Sequence, residues 1–304
     1  MRLREIRRNE EVDTALHDRS PIVALESTVY SRLGLPDPDN RHALERSIAA
    51  IEAAGAVPAL TAILDGEPWC GAPPESFERI LEGTAKTAER DLSVAIGQRW
   101  PVGVTTVSAS LALAAMAGVR VFATGGIGGV HREAALTGDI SADLEAIARQ
   151  PVATVSAGAK SFLDLPATLE RLETLGVPVL GWQTDEFPAF TARSSGIELG
   201  VRIDDLTTLR DVVASQLDFG RGLLVVNPVP AVDALDQETH DRALSDALAE
   251  VVDQGISGPA VTPFVLDRIV VASGGRSVPA NLSLVENNAK LAAQLANALS
   301  ADSH

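Results

Sequence analysis

The chain has 304 residues, of which 46% are hydrophobic, and 41 acidic residues outnumber 25 basic ones to give a formal net charge of -16. This length and apolar content exclude a disordered or fibrous protein and predict a folded globular chain with a large core. The net negative charge disfavours long-range attraction of nucleic acid, so an anionic substrate would need a locally basic pocket.

The cysteine content and the N-terminal segment indicate the compartment. Cys70 is the only cysteine, which excludes disulfides within the chain and zinc sites built from several thiolates. Residues 1–20 are too charged for a secretory signal, and longer apolar runs elsewhere are interrupted by glycine, proline or charge. We therefore expect a cytoplasmic protein with no membrane contact, in which residues 1–20 form a helical extension.

Short β-branched segments alternate with longer segments of helical periodicity along the chain. This alternation is typical of a largely parallel sheet covered by helices. No repeat or Pro/Ser-rich linker divides the chain, so we predict one α/β/α domain over residues 1–304 with a mixed, mostly parallel sheet. The predicted strands are Ile22–Leu25, Val57–Ile63, Arg120–Ala123, Val152–Val155, Val177–Trp182 and Leu223–Val226.

Two helices between these strands have clear ends. Asn40–Ala54 carries spaced apolar residues and stops before Gly55, a residue suited to the left-handed conformation that follows many helices. Pro166–Leu175 begins with proline and stops before Gly176, which is the usual asymmetry of a short crossover helix.

Two further helical segments differ in character. Val107–Met116 is apolar on every side, which predicts a buried helix. The tail from Pro259 to Leu299 is expected to form two or three helices, broken at Gly274 and Gly275.

The first segment of chemical interest is TGGIGGVHR, which runs from Thr124 to Arg132 directly after a predicted strand. Four glycines in six positions expose backbone N–H groups, as anion-binding loops do, and Thr124, His131 and Arg132 add further donors. The spacing matches neither a Walker A loop nor a dinucleotide-binding loop. A glycine-rich turn with a purely structural role remains an open alternative.

A second segment, GDISADL over residues 138–144, precedes a predicted helix. Ser141 and Asp143 fit an ordinary helix cap and first turn, and they fit equally a phosphate site at the helix N-terminus. In the second case Asp139 is placed to bind a hard cation. With no second carboxylate or histidine clustered nearby, such a cation would keep several waters, which favours Mn²⁺ or Mg²⁺ over structural zinc.

A lysine follows the next predicted strand, in the segment SAGAKSF that contains Lys160. Lysine is rarely buried without a partner, and a desolvated amine is more easily neutral and able to attack a sugar aldehyde. The alternative is a lysine whose stem is covered and whose amine reaches solvent. Its position favours function, because open parallel sheets bind ligands beyond the carboxyl ends of their strands.

Three more residues are weak candidates individually. Glu26 ends the first predicted strand, where a carboxyl group can act as a general acid. Lys86 has the features of an ordinary surface lysine. Asn281 is placed to begin the last helix and needs no role beyond its N-cap.

Taken together, these segments resemble the pseudouridine-5'-phosphate glycosidase family, also described as the indigoidine synthase A type. The combination of TGGIGGVHR, DISADL and AGAK is very specific, and the matches keep one order from about residue 21 to 299. The matching strings are ALESTV (24–29), GAVP (55–58), RDL (90–92), TTV (105–107), TGGIGGVHR (124–132), DISADL (139–144), AGAKSFLDL (157–165), GVP (176–178), QT (183–184), PAF (188–190), NP (227–228) and TPF (262–264).

The resemblance implies an α/β/α fold, a homotrimer, one Mn²⁺ per subunit, and reversible cleavage of pseudouridine 5'-phosphate to uracil and ribose 5-phosphate through a lysine Schiff base. Carried over by position, the covalent lysine falls on Lys160, the proton donor on Glu26 and the Mn²⁺ carboxylate on Asp139. The family's substrate contacts fall on Lys86, Val107, Thr124, His131, Ser141, Ala142, Asp143 and Asn281.

Some segments depart from the family pattern and leave the aglycone open. Residues 31–34 and 98–101 are each one residue longer than the pattern, and the usual lysine before the TPF motif is absent. One alternative is therefore a C-glycosynthase that joins ribose 5-phosphate to an aromatic, polyketide-like aglycone, for which Tyr30 and Trp100 are candidate contacts. Another is a sugar-phosphate-binding protein without activity, which would leave Lys160 and Glu26 without a role.

Overall fold

The structure, a computed structural model, describes residues 6–256 and 261–301, without the side chains of residues 262 and 263. The strands are β1 Ile22–Leu25, β2 Val57–Leu64, β3 Glu67–Cys70, β4 Lys86–Thr87, β5 Val102–Thr105, β6 Val121–Ala123, β7 Ala153–Ser156, β8 Val179–Trp182, β9 Arg202–Ile203 and β10 Leu223–Val226. The α-helices are α1 Glu10–His17, α2 Asp39–Ala53, α3 Phe77–Leu81, α4 Leu92–Gly97, α5 Val107–Ala117, α6 Ala134–Thr137, α7 Ala142–Arg149, α8 Leu165–Thr174, α9 Leu206–Asp218, α10 Gln237–Asp253, α11 Val261–Ala272 and α12 Ser277–Ala301.

A parallel sheet forms the centre of the molecule, with strand order β2-β1-β6-β7-β10-β8-β9. Beyond β1, strand β2 pairs antiparallel with β3 and β5, and β4 adds parallel to β5 at the edge. Helix α5 packs on one face, and α12 crosses β1, β6 and β7 on the other. The predicted α/β/α class with a mixed, mostly parallel sheet is therefore confirmed.

The two halves of β2 pair with different strands. Residues 57–60 pair with β1, whereas residues 62–64 pair with β5. Because β1 runs parallel to β2 and β5 runs against it, the carboxyl ends of both strands reach the middle of β2. Thr61 lies at this junction, where its hydroxyl group donates to the carbonyl of Leu25 and lies 2.8 Å from the Thr105 hydroxyl. Residues that follow β1 and β5 are thereby brought together.

All six predicted strands are present, with ends shifted by at most two residues. Strands β3, β4, β5 and β9 were not predicted, because β4 and β9 have only two residues and β5 merges into a Gly/Thr-rich segment. A signal for β3 did exist. Asp65 and Gly66, both at positive φ, form the two-residue turn of a β2–β3 hairpin, a turn type for which Asp-Gly is favoured.

The predicted helices also agree with the structure. Gly55 and Gly176 adopt positive φ after α2 and α8, and α5 is buried along most of its length, although Met116 near its end is exposed. The tail breaks between α11 and α12 at Gly274 and Gly275, both at positive φ. Its predicted start at residue 259 and the first part of the 1–20 extension lie outside the described residues. No helix among the described residues is long and apolar enough to cross a membrane.

Candidate active site

Glu26 follows β1 directly and is only 6% exposed. The Thr124 hydroxyl, which follows the neighbouring strand β6, donates a hydrogen bond to its carboxylate. Burial raises the pKa of Glu26 from its ordinary 4.5 to about 7, and the positive charge of Lys160 is the largest influence in the opposite direction. Near neutral pH this carboxyl group therefore holds a proton in a substantial fraction of molecules, as a general acid requires.

Lys160 lies in the loop after β7, beyond the carboxyl end of the parallel sheet. Its Nζ donates to the carbonyl of Gly126 at 3.1 Å, and its backbone N–H donates to Ile127. The side chain is half-buried and forms no ion pair with a carboxylate in the part of the chain that the structure describes. A backbone carbonyl oxygen thus holds the amine in place at the end of the sheet.

The glycine loop, residues 124–130, is not the anion-binding nest that the sequence suggested. None of its glycines adopts positive φ, and at three of the four, Gly126, Gly128 and Gly129, an added Cβ would come within 3.0 Å of a neighbouring atom. A Cβ on Gly126 would lie 2.7 Å from the Phe190 ring, and one on Gly129 would lie 2.4 Å from the Thr168 hydroxyl. The N–H of Gly128 already donates to Asp143 at 2.9 Å, so it is not available to a phosphate.

Asp143 has a structural task beyond its position in the first turn of α7. Its carboxylate is 7% exposed and accepts hydrogen bonds from the N–H of Ser108, at 3.0 Å, and of Gly128. It thereby ties the N-terminus of α5 to the glycine loop. Ser141 caps α7 as predicted, because its hydroxyl accepts from the N–H of Asp143.

Two predicted contacts reach the site from the smaller, mixed part of the sheet. Val107 is the first residue of α5, directly after the end of β5 and next to the β1 end that carries Glu26. Lys86 lies on the edge strand β4, paired with Val104 of β5, and its charge lowers the pKa of Glu26. Lys86 is exposed and has no ion-pair partner among the described residues.

His131 and Asp139 face each other across the loop that contains α6. Their backbones are joined by a hydrogen bond of 3.1 Å, and His131 Nδ1 lies 3.8 Å from a carboxylate oxygen of Asp139. The His131 ring also packs against Phe162, with ring centroids 6.2 Å apart. Ala142, beside the Ser141 cap, is exposed at the first position of α7. This loop therefore places one exposed carboxylate and one imidazole near the start of α7.

Asn281 does not begin the last helix, because α12 starts at Ser277 and Asn281 is its fifth residue. The asparagine that contacts the glycine loop is Asn288, which is fully buried and donates to the carbonyl of Thr124 at 2.8 Å. Seven residues separate the two, so both lie on the same face of α12, about 10 Å apart along its axis. A buried asparagine in an apolar helix was the signal that the sequence analysis missed.

Tyr30 and Trp100, the candidate aglycone contacts, form hydrogen bonds elsewhere. Tyr30 is 1% exposed, its hydroxyl donates to Ser47, and burial raises the pKa of the phenol further above its ordinary range, with a contribution from the negative charge of Glu26. Trp100 precedes β5, at the opposite end of that strand from Val107, and its indole donates to Gln98. The burial of Tyr30 and the position of Trp100 do not support the suggestion that these two aromatics contact the aglycone, which stays a prediction.

Comparison with known proteins identifies the family. The sequence model of the family described as "Indigoidine synthase A like protein" matches residues 11–298. The chain belongs to the indigoidine synthase A-like family. It is 47% identical over 297 residues to a pseudouridine-5'-phosphate glycosidase of Myxococcus xanthus, which covers 96% of this chain and 97% of that relative. A Methylobacterium nodulans protein of the same name is also 47% identical, over 95% of this chain and 86% of that protein.

Two solved structures are similar to this chain over most of its length. The prealnumycin C-glycosynthase AlnA, in complex with ribulose 5-phosphate, superimposes with a TM-score of 0.91 at 36% identity and 99% coverage of both chains. An indigoidine synthase A-like protein from Thermotoga maritima gives 0.83 at 34% identity, over 92% of this chain and 93% of the other. The fold and its connectivity are therefore shared over the whole length.

The metal site that the resemblance to this family implies has modest support from the residues present. No group of three or more His, Cys, Asp or Glu side chains in the described part of the chain is arranged to hold an ion. Asp139 offers one carboxylate, 45% exposed and beside His131. This donor set fits a hard cation that keeps most of its waters, and it does not fit zinc.

Replacement of Glu26 by glutamine is expected to remove a pH-dependent loss of stability. Between pH 4.5 and about 7 the folded protein binds more protons at Glu26 than the unfolded chain does. The contribution of this carboxyl group is therefore fully present below pH 4.5 and is lost as the pH rises through about 7. The shift corresponds to a loss on the order of 3 kcal/mol.

Urea unfolding of wild type and Glu26→Gln measures this loss. The wild type is expected to lose stability relative to the variant between about pH 5 and about pH 8. Equal pH dependence of the two proteins would show that Glu26 has an ordinary pKa.

Proposed function

We propose that this protein cleaves the C–C glycosidic bond of pseudouridine 5'-phosphate, giving uracil and ribose 5-phosphate, with Lys160 as the nucleophile and Glu26 as the proton donor. The observation that carries the proposal is the placement of a buried carboxyl group, with a pKa of about 7, close enough to Lys160 for its charge to be felt. A sugar-phosphate-binding protein without activity has no use for this pair. Family members with this activity in their names support the substrate.

The chemistry follows from the bond to be broken. A C–C glycosidic bond has no leaving oxygen or nitrogen to protonate, so the two-carboxylate mechanism of ordinary glycosidases does not apply. In the proposed first step, Lys160 Nζ attacks C1' while the C1'–O4' bond breaks, and the ring oxygen takes the proton of Glu26. The sugar is then open, with both nitrogen and uracil on C1'.

In the second step the attached nitrogen gives a proton back to the Glu26 carboxylate, and Glu26 passes it to C5 of the uracil ring. The nitrogen lone pair then forms a C=N bond to C1' as the C1'–C5 bond breaks, and the electron pair of that bond restores the C5=C6 double bond of uracil. Uracil leaves, and ribose 5-phosphate remains on Lys160 as an imine. Addition of water to the imine releases ribose 5-phosphate and the free amine. One water is consumed in each turnover, and no oxidant or reductant is needed.

Uracil release from pseudouridine 5'-phosphate tests the proposed reaction. Enzyme incubated with Mn²⁺ and this substrate should release uracil and ribose 5-phosphate in equal amounts. Glu26→Gln removes the proton but keeps the shape of the side chain, and it is expected to lower kcat by a factor on the order of 10² to 10⁴. If the wild type releases no uracil under these conditions, the proposed substrate is wrong.

A C-glycosynthase is the second candidate, and the similarity to AlnA over 99% of both chains is the observation that favours it. The same Lys160 imine of ribose 5-phosphate would then accept a carbon nucleophile from an aromatic aglycone. Incubation of ribose 5-phosphate with uracil or with an electron-rich phenolic aglycone distinguishes the two. We expect C-nucleoside formation with uracil alone, whereas a product with only the phenol would favour the synthase.

We propose further that Mn²⁺ binds at Asp139 and offsets negative charge on the bound sugar phosphate. A site with a single protein carboxylate has no substitute ligand, so Asp139→Ala is expected to raise the Mn²⁺ concentration needed for half-maximal activity by about tenfold or more. Titration of both proteins with Mn²⁺ measures the effect. An unchanged titration curve would make Asp139 an ordinary loop residue.

The assembly and compartment also belong to this proposal. We infer a homotrimer from the resemblance to the family, and light scattering should then give about 95 kDa for three chains of 31.8 kDa. A mass of one or two chains would exclude it. The single cysteine, Cys70, is buried as a free thiol, which supports a reducing compartment such as the cytoplasm. Fractionation of the source cells tests this location.

A further inference from the structure

Phe190 occupies an unusual backbone position beside the proposed nucleophile. It is the second residue of a tight turn in which Ala189 and Ala192 exchange backbone hydrogen bonds of 3.1 and 3.2 Å. Its φ is +61°, a region where glycine or asparagine is the ordinary choice at this turn position. A bulky aromatic residue held there stores strain, and such strain persists only where the surroundings enforce it.

Phe190 is 7% exposed, and one side of its ring, the Cδ2 and Cε2 atoms, lies against the glycine loop. A Cβ added to Gly126 would lie 2.7 and 2.8 Å from two ring carbons, and one added to Gly125 would lie 3.7 Å from the ring. No side chain other than hydrogen therefore fits between the ring and Gly126 without a shift. The same peptide unit of Gly126 supplies the carbonyl that accepts the hydrogen bond from Lys160 Nζ.

The Phe190 turn is also joined to the loop that carries Lys160. Ala189 forms a bridge with Gly158, and the carbonyl of Gly158 accepts from the N–H of Ile127 in the glycine loop. Three segments therefore pack together around the Gly126 carbonyl: the glycine loop, the loop that carries Lys160 and the Phe190 turn. The Gly126 carbonyl and the Ile127 N–H belong to one peptide unit, so this unit is held on one side by the hydrogen bond to Gly158 and on the other by the Phe190 ring against Gly126.

We propose that Phe190 is a positioning residue for Lys160: its ring, held by a left-handed backbone, fixes the Gly126 peptide so that its carbonyl holds the Lys160 amine in the attacking position. This inference rests on the proposed role of Lys160 as nucleophile. Phe190 itself does not touch the reacting atoms. Its effect passes through Gly126, and it acts on formation of the imine rather than on binding of the phosphate.

The test measures the rate at which borohydride traps ribose 5-phosphate on Lys160, together with kcat and KM. Phe190→Asn keeps a residue that tolerates the left-handed backbone and removes the ring. We expect trapping and kcat to fall by about tenfold or more while KM changes by less than about threefold. Phe190→Tyr keeps the ring and should restore most of the rate.

Controls separate positioning from general loss of packing. Leu217→Ala removes a buried side chain from α9, remote from the site, and should lower the melting temperature without lowering the trapping rate. Gly126→Ala approaches the same contact from the other side, and on its own it tests the contact in a chain that keeps Phe190. Its added methyl group should slow trapping in the wild type and do so much less in Phe190→Asn, where the ring no longer blocks it.

Two outcomes would overturn the inference, and they differ from failure of the proposed function. If Phe190→Asn is trapped at the wild-type rate, or if Gly126→Ala costs the same in both backgrounds, the ring does not position Lys160. If the wild type itself gives no adduct at Lys160, the nucleophile assignment fails, whatever the variants do.

Discussion

Lys160→Ala is expected to abolish uracil release, with a loss in kcat of about 10⁴-fold or more, because the variant lacks the only proposed electron sink for C–C cleavage. The chain contains just three lysines, Lys86, Lys160 and Lys290, so few other amines could replace Lys160 as the nucleophile. Lys290 is exposed on α12 and provides a matched control. Lys290→Ala should keep wild-type activity.

The residual activity of Lys160→Ala shows whether covalent attachment to Lys160 is part of the reaction. A variant that retains more than about a tenth of wild-type kcat would show that covalent attachment to Lys160 is not on the reaction path. Circular dichroism and the melting temperature must be measured alongside, because Lys160 also holds the Gly126 carbonyl.

The second large effect is expected at Lys86, which we assign to the substrate phosphate. A chain with a net charge of -16 repels a dianion at long range, so binding must come from local donors. The N–H groups of Gly128 and Ser108 already donate to Asp143, and the N–H of Asp143 donates to Ser141. We therefore assign the main phosphate contact to Lys86, which is exposed on β4. Unphosphorylated pseudouridine should therefore be a very poor substrate.

Lys86→Ala should lower kcat/KM for pseudouridine 5'-phosphate by about 10- to 150-fold, since a charge-assisted contact contributes about 1.5 to 3 kcal/mol. It should affect free pseudouridine far less, because that substrate lacks the group that Lys86 binds. Lys290→Ala again serves as the control for loss of a positive charge. If wild type turns over both substrates comparably, Lys86 is an ordinary surface lysine.

The sequence was sufficient to place the central residues of the site. Glu26, Thr124 and Lys160 each follow a strand of the parallel sheet, and the carboxyl ends of parallel strands meet at one edge. The alternation of strand and helix patterns was enough to predict that edge. These three residues lie close together because their strands are neighbours in the sheet, and each of those strands could be recognised from its own local sequence pattern.

The junction at β2 was beyond prediction from local patterns. Lys86 and Val107 reach the site only because β5 runs against the second half of β2, whereas β1 runs with the first half. Strands β2 and β5 are about 40 residues apart, and the residue pattern of neither strand indicates that it pairs with the other. Val107 was assigned to the site only through resemblance to the family, and its position near the end of β1 results from this tertiary pairing.

The glycine loop shows a different limit. Glycines that leave room for neighbouring side chains have the same sequence signature as glycines that bind anions. Phe190, which contacts Gly126, lies far along the chain from the glycine loop, and Asp143, which binds the N–H of Gly128, lies in helix α7. Only the three-dimensional packing distinguishes these cases.

The central claim is covalent catalysis by Lys160, and borohydride trapping with peptide mass spectrometry tests it most directly. Wild-type enzyme incubated with pseudouridine 5'-phosphate and reduced during turnover should carry one reduced pentose phosphate per chain, on the peptide that contains Lys160. We expect no adduct on the Lys86 or Lys290 peptides and none in Lys160→Ala. An adduct that persists in Lys160→Ala, or uracil release by the wild type with no trappable adduct at all, would contradict it.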